Sequence, residues 1–263
     1  MVVGPAIHVK DFRIVHAGPS PDRRARLRAV ERILLFDIDG TLLSMGGAAR
    51  EAFTRALSEA SGRAVRSEGT SFIGKTDPQI ARELLTRHGL DGPDLEPAIR
   101  ATIRLYLRYF ERDLPAAREA RLLPGVEPLL DALADRPGFR TALLTGNVET
   151  GARLKLGHFG ITDRFDFGLS AFGSDDADRY RLPALALEKA RGTLGPSVEG
   201  RHLVIIGDSE HDVLCGRSVG ARSVAVATGW TPAETLRALG PDRLLMDFAD
   251  TPAVLAALAG EGP

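Results

Sequence analysis

The chain has 263 residues, enough for one large domain or two modest ones, and its 44% hydrophobic and 26% charged residues are the balance of an ordinary soluble protein. A formal net charge of -1 offers no general attraction to nucleic acid or an anionic membrane, and no apolar run approaches the roughly 18–20 residues of a membrane span. The single cysteine, Cys215, excludes an intramolecular disulfide and a cysteine-rich zinc site. The N-terminal stretch lacks the apolar segment of a secretory signal, so a cytoplasmic protein is expected, free of nucleic-acid and membrane partners.

In chain order, residues 1–30 fit no regular element. Their turn formers and the cluster Arg23, Arg24, Arg26 and Arg28 are read as a flexible, solvated N-terminal extension rather than a nucleic-acid arm. From Ile33 the pattern changes. The run "ILLFDI" (33–38) is apolar and ends on turn formers, as a buried strand of a parallel sheet does. Residues 47–120 hold no convincing strand. They offer three segments with apolar residues at helical spacing, "AAREAFTRALSEASG", "DPQIARELLTRHG" and "DLEPAIRATIRLYLRYFERDL". Asp77-Pro78 reads as an N-cap followed by proline at the first helical position. After Pro124-Gly125, further strands are expected at 141–145, 165–170, 202–208 and 223–229, with a weaker one at 243–248. Helical patterns at 125–135, 149–160, 182–194 and 212–220 separate them. This alternation predicts an α/β fold with a Rossmann-like, doubly wound parallel sheet. The expected organisation is an extension over 1–30, a catalytic core over 31–46 and 121–263, and an inserted α-helical cap over 47–120.

Three of these strands end in polar residues: Asp37-Ile38-Asp39-Gly40-Thr41, Thr145-Gly146-Asn147, and Gly207-Asp208-Ser209 with Asp212 a helical turn on. A parallel sheet opens all three ends on one edge, where ligands bind. One aspartate after a strand is ordinarily a cap or a turn. Several carboxylates gathered in one pocket repel each other, and a hard divalent cation such as Mg²⁺, shared with a substrate phosphate, resolves the repulsion.

In order and spacing, "DIDGTLL", "LLTGN" and "IIGDSEHD" resemble the motifs of the haloacid dehalogenase-like hydrolase superfamily, over about residues 31–260. The resemblance implies a mobile cap over the core and phosphoryl transfer through an aspartyl-phosphate. It makes Asp37 the nucleophile and a Mg²⁺ ligand. Asp39 becomes the general acid/base, its carbonyl also on the metal. Thr145, Gly146 and Asn147 would hold the phosphate, Asp208 would be a further metal ligand, and Asp212 would support it from behind. Aspartate at position 39 favours phosphate esters over the dehalogenase and phosphonatase branches. The family's usual lysine before the helix at 182–194 is missing. Arg179 is chosen to replace it over Arg181, which abuts Leu182-Pro183; either arginine is otherwise a solvated loop residue.

In the cap, "SFIGKTDPQI" (71–80) is similar to loops of phosphoglycolate phosphatase-like and phosphoglucomutase-like relatives, so it does not choose a substrate. Lys75 is either a contact for a substrate anion or a solvated turn lysine, and Arg50 either approaches the pocket or lies on an exposed helix face. His211 is kept as a candidate beside the metal site. The expected protein is a Mg²⁺-dependent phosphatase of a small phosphorylated metabolite, a monomer or homodimer. The alternatives are a phosphotransferase or mutase using the same intermediate, and a weakly catalytic binding protein.

Overall fold

A computed structural model describes residues 32–260, so the expected extension over 1–30 lies outside the described residues. Among the described residues, six parallel strands form one sheet in the order β5-β4-β1-β6-β7-β8. These are β1 (Arg32–Phe36), β4 (Phe139–Thr145), β5 (Ala171–Phe172), β6 (Leu203–Gly207), β7 (Arg222–Val226) and β8 (Arg243–Leu245). The chain winds outward from β1 to β4 and β5, then returns to lay β6, β7 and β8 on the other side. The strand order therefore reverses next to β1, which is where open α/β sheets bind ligands.

β1 shows why the sheet is buried on both faces. Leu34 and Phe36 join one core cluster with Val126 and Leu129 of helix α4 (Val126–Ala134) and Val254 and Leu258 of α9 (Thr251–Ala259). Ile33 and Leu35 join the opposite cluster with Leu182, Ala186 and Ala190 of α6 (Leu182–Leu194). The period of two along the strand feeds two helical layers, giving the doubly wound α/β fold.

Two short strands, β2 (Leu43–Ser44) and β3 (Arg121–Leu122), pair antiparallel where the chain leaves the sheet and returns. Between them α1 (Ala48–Ser61), α2 (Asp77–Arg87) and α3 (Leu95–Asp113) pack into the inserted helical cap. Its centre is aromatic: the Phe53 ring meets Tyr106 edge-on at 5.0 Å between centroids, and Tyr106 stacks on Phe110 at 5.7 Å.

Several expected boundaries are corrected. Residues 165–170 are not a strand. Asp166 accepts the amide of Gly168 through its side chain at 2.9 Å, an Asx turn that breaks the ladder, and the edge strand is the two-residue β5. The helix expected at 212–220 starts earlier, as α7 (Glu210–Cys215), because Ser209 caps it by accepting the amide of Asp212 at 3.3 Å. A 3-10 turn (Gly216–Val219) follows. Thr76, not Asp77, is the N-cap of α2, accepting the amide of Gln79 at 3.2 Å, so Asp77 and Pro78 are already helical. The remaining described helix, α8 (Ala233–Ala238), and α5 (Glu149–His158) complete the core.

Candidate active site at the carboxyl edge of the sheet

β1 and β6 are neighbours, so the residues that follow them are neighbours too. Oxygens of Asp37, Asp208 and Asp212 all lie within 4.8 Å of one another, and all three side chains are buried. Both oxygens of Asp212 are engaged: Oδ2 accepts from the Ser209 amide at 3.0 Å and its hydroxyl at 2.5 Å, and Oδ1 pairs with Arg179. Asp208 Oδ1 accepts from the Thr41 hydroxyl at 3.0 Å. Two glycines press on the same carboxylate. A Cβ on Gly40 would lie 2.6 Å from Asp208 Oδ2, and one on Gly229 only 1.7 Å away. Gly40 also needs its freedom for φ +83°, so the turn after Asp39 admits no side chain on either count.

Burial and the repulsion of Asp212 and Asp37 push the Asp208 carboxyl up to about 8, despite the Thr41 hydrogen bond. Burial likewise pushes Asp37 up to about 6; the Arg179 guanidinium opposes this, and Asp212 and Asp39 add to it. Buried carboxylates with too little positive charge around them are a donor set suited to a hard cation, so Asp37 and Asp208 fit Mg²⁺. Asp212, with both oxygens engaged, is placed to brace rather than to ligate.

Of the two arginines weighed for the missing lysine, the fold brings in Arg179. It is 2% exposed, and its Nη2 reaches Asp212 and lies 3.5 Å from Asp37 Oδ1. Burial disfavours its charge, but Asp212 and Asp37 outweigh burial and hold the guanidinium firmly protonated. Arg181 points away and pairs with Asp176 at 3.0 Å.

Asp39 sits just before the turn, half-exposed, at the other side of the mouth. Its Oδ2 accepts from Lys155 Nζ at 2.6 Å and from Asn147 Nδ2 at 2.8 Å. Asn147 Nδ2 also reaches the buried Thr145 hydroxyl at 2.8 Å. Thr145, Gly146 and Asn147 thus meet Asp37 and Asp39 in one cavity of about 570 Å³, roofed by cap residues including Phe53, Phe72 and Tyr106. Lys75 and Arg50 line it, but both are engaged: Lys75 pairs with Glu83, and Arg50 holds the carbonyls of Ser67 and Thr70 at 3.0 and 2.8 Å. His211 lies at the cap contact instead of in the cavity, its ring where a Cβ on Gly74 would fall. Burial, helped by Arg179, pushes it down.

Two residues of this region carry no site role in the reading of the sequence, Lys155 unmentioned and Asp77 taken for a helix cap. Lys155 is 4% exposed and shares a helix face with Ala152 and Leu156; a lysine in an apolar stripe was the available signal. Asp77 enters from the cap, its carboxylate accepting the Val148 amide at 2.9 Å and its own amide donating to the Gly146 carbonyl at 2.8 Å. Nothing in its local sequence distinguishes this from capping.

Comparison with known proteins agrees with this geometry. The phosphoglycolate phosphatase of Agrobacterium fabrum is 25% identical over 242 residues, 89% of this chain and 97% of that protein. That of Cereibacter sphaeroides is 29% identical over 198 residues, covering 75% of this chain and 85% of the relative. The crystal structure of CbbY from Rhodobacter sphaeroides in complex with phosphate superposes with a TM-score of 0.62 at 26% identity, covering 84% of this chain and 96% of that one. Residues 31–220 match the family model of haloacid dehalogenase-like hydrolases. With its acidic strand ends, helical cap and most of its length accounted for in this way, the chain belongs to the haloacid dehalogenase-like hydrolases.

Proposed function

We propose that this enzyme is a Mg²⁺-dependent phosphatase that hydrolyses a small phosphomonoester through an aspartyl-phosphate on Asp37. The observation that carries the reading is Asp37 itself: a buried carboxylate at the sheet's switch point, flanked by Asp208 on one side and Arg179 on the other. Mg²⁺ held by Asp37, Asp208 and the Asp39 carbonyl would neutralise charge on the nucleophile and the phosphoryl oxygens.

The chain's own groups supply the rest. Asp37 Oδ attacks phosphorus and the ester P–O bond breaks, with Asp39 passing its proton to the departing alkoxide. Water then attacks the same phosphorus, giving its proton to Asp39 and releasing inorganic phosphate and Asp37. Thr145, Gly146 and Asn147 bind the phosphoryl oxygens from one side, and Arg179 adds positive charge from the other. The cap, spanning 47–120, encloses the cavity and excludes bulk water. The names of the relatives make 2-phosphoglycolate the first substrate to try.

The test is phosphate release from 2-phosphoglycolate, sugar phosphates, nucleotides and p-nitrophenyl phosphate, by wild type and Asp37→Asn, each with Mg²⁺ and with EDTA. Turnover that requires Mg²⁺ and disappears in Asp37→Asn is the expected result. Wild-type release no greater than the Asp37→Asn background would sink the reading.

A further inference from the structure

Lys155 poses an energetic problem. Its ammonium is buried on α5, where an apolar side chain of similar length would lie on the buried helix face beside Gly151 and Ala152 without desolvating a charge. Its charged partner, Asp39, is 46% exposed and would be hydrated without help. A pair with one expensive member and one that does not need it is poor value as a stabilising device. The contact geometry is specific nonetheless. Lys155 Nζ bonds Asp39 Oδ2 and Asn147 Oδ1, both at 2.6 Å, and Asn147 Nδ2 closes the triangle onto the same Asp39 Oδ2 at 2.8 Å. Two donors on one oxygen fix the rotation of the Asp39 carboxyl about its own axis. Among the described residues no protein donor reaches Oδ1 at the cavity.

We propose that Lys155 is a positioning residue: with Asn147 it clamps Asp39 Oδ2 so that Oδ1 alone faces the ester oxygen and then the attacking water. This rests on the phosphatase reading, in which Asp39 exchanges that proton. Lys155 neither touches the substrate's ester oxygen nor moves a proton; it sets where Asp39 delivers one. The cap's Asp77 also faces this ammonium, whose charge partly offsets the effect of burial on the Asp77 carboxyl. The clamp thus lies where the cap loop meets the acid/base residue.

The separating variable is how badly the leaving group needs a proton. An alkoxide needs one, and p-nitrophenolate does not. Alcohol release would be followed in single turnovers of the full chain with saturating Mg²⁺, using glycerol phosphate and p-nitrophenyl phosphate. The proteins would be wild type, Lys155→Met, Asp39→Asn and the double variant. The expected loss in Lys155→Met is about 30- to 100-fold on glycerol phosphate, within the usual share of general acid catalysis, and less than about 3-fold on p-nitrophenyl phosphate. In the Asp39→Asn background, removing Lys155 should then cost nothing further, because it has no acid left to position.

Equal losses on both esters, a raised KM with unchanged kcat, or additive losses in the double variant would each overturn the proposal. Should Lys155→Met not fold, Lys155→Gln carries the same comparison, since it keeps a donor for Asn147 but loses the charge. Wild type inactive on both esters and on 2-phosphoglycolate would instead remove the phosphatase reading itself.

Discussion

Arg179 Nη2 stands 3.5 Å from Asp37 Oδ1 while bonded to Asp212 Oδ1, so one guanidinium ties Asp37, the proposed nucleophile, to Asp212, the proposed brace of the metal site. Its neighbour Arg181 is 70% exposed and tied only to a loop aspartate. The two therefore separate cleanly in a mutational test. Arg179→Met leaves Asp212 buried and unpaired, which is expected to cost about 3–5 kcal/mol, read by denaturant unfolding. It should lower kcat by about 100-fold or more through lost stabilisation of transferring charge. Arg181→Gln should change stability by no more than about 0.5 kcal/mol and leave kcat intact. Arg181→Gln with the larger kinetic effect would reverse the assignment.

The acidic cluster makes a prediction about pH. Asp208 and Asp37 have folded-state values near 8 and 6, above their ordinary value of 3.8. A raised acid in the folded state binds its proton more tightly than in the unfolded chain. Its contribution is therefore most favourable below about pH 4 and is lost as pH rises through the folded values. With EDTA present, Tm should fall between about pH 5 and pH 8.5 as both groups are forced to ionise. Mg²⁺ bound as proposed would stabilise the ionised forms, so the rise in Tm on adding it should be larger at the upper pH. A Mg²⁺ effect on Tm that is equal at both pH values would mean that these carboxylates are not its ligands.

Asp208 is also confined sterically. The Gly229 backbone approaches so closely that an added methyl would overlap Oδ2 at 1.7 Å. Gly229→Ala must displace either the carboxylate or the loop, and a displacement of about 1 Å in a reacting centre costs on the order of 100-fold in rate. The expected signature is a rise of about tenfold or more in the Mg²⁺ concentration for half-maximal activity. Unchanged Mg²⁺ dependence would show that Asp208 can move freely.

Much of this site was legible because parallel sheets turn sequence position into spatial position. Once β1 and β6 are neighbouring parallel strands ending at Phe36 and Gly207, Asp37 and Asp208 must emerge on one edge. Asp212 follows as one helical turn further. The alternation was less informative at 165–170, where apolar residues pack in a turn and the side chain of Asp166 replaces the ladder. Lys155 was missed for a different reason. Its partners Asp39 and Asn147 are 116 and 8 residues away, and a lysine on a helix reads as solvated unless its face is known to be buried. Asp77 was hidden in the same way, because its bond to the Val148 amide exists only when cap and core meet.

That meeting is close enough to test. Gly146, in the phosphate-side loop, lies where a Cβ would sit 2.0 Å from the Lys75 carbonyl of the cap. Around this contact the Thr76 hydroxyl donates to the Ala177 carbonyl at 2.6 Å and the Asp77 amide donates to Gly146 at 2.8 Å. Gly146→Ala therefore wedges cap from core without touching a charged group. Overpacking of this kind costs about 1–3 kcal/mol, so Tm should drop by several degrees. Because the cap covers the cavity, KM should rise for every phosphoester tried, whatever its leaving group. That pattern differs from loss of the Lys155 clamp, which is expected to follow the leaving group. If Gly146→Ala leaves both Tm and KM at wild-type values, the cap loop does not seat against Thr145-Gly146-Asn147 in solution.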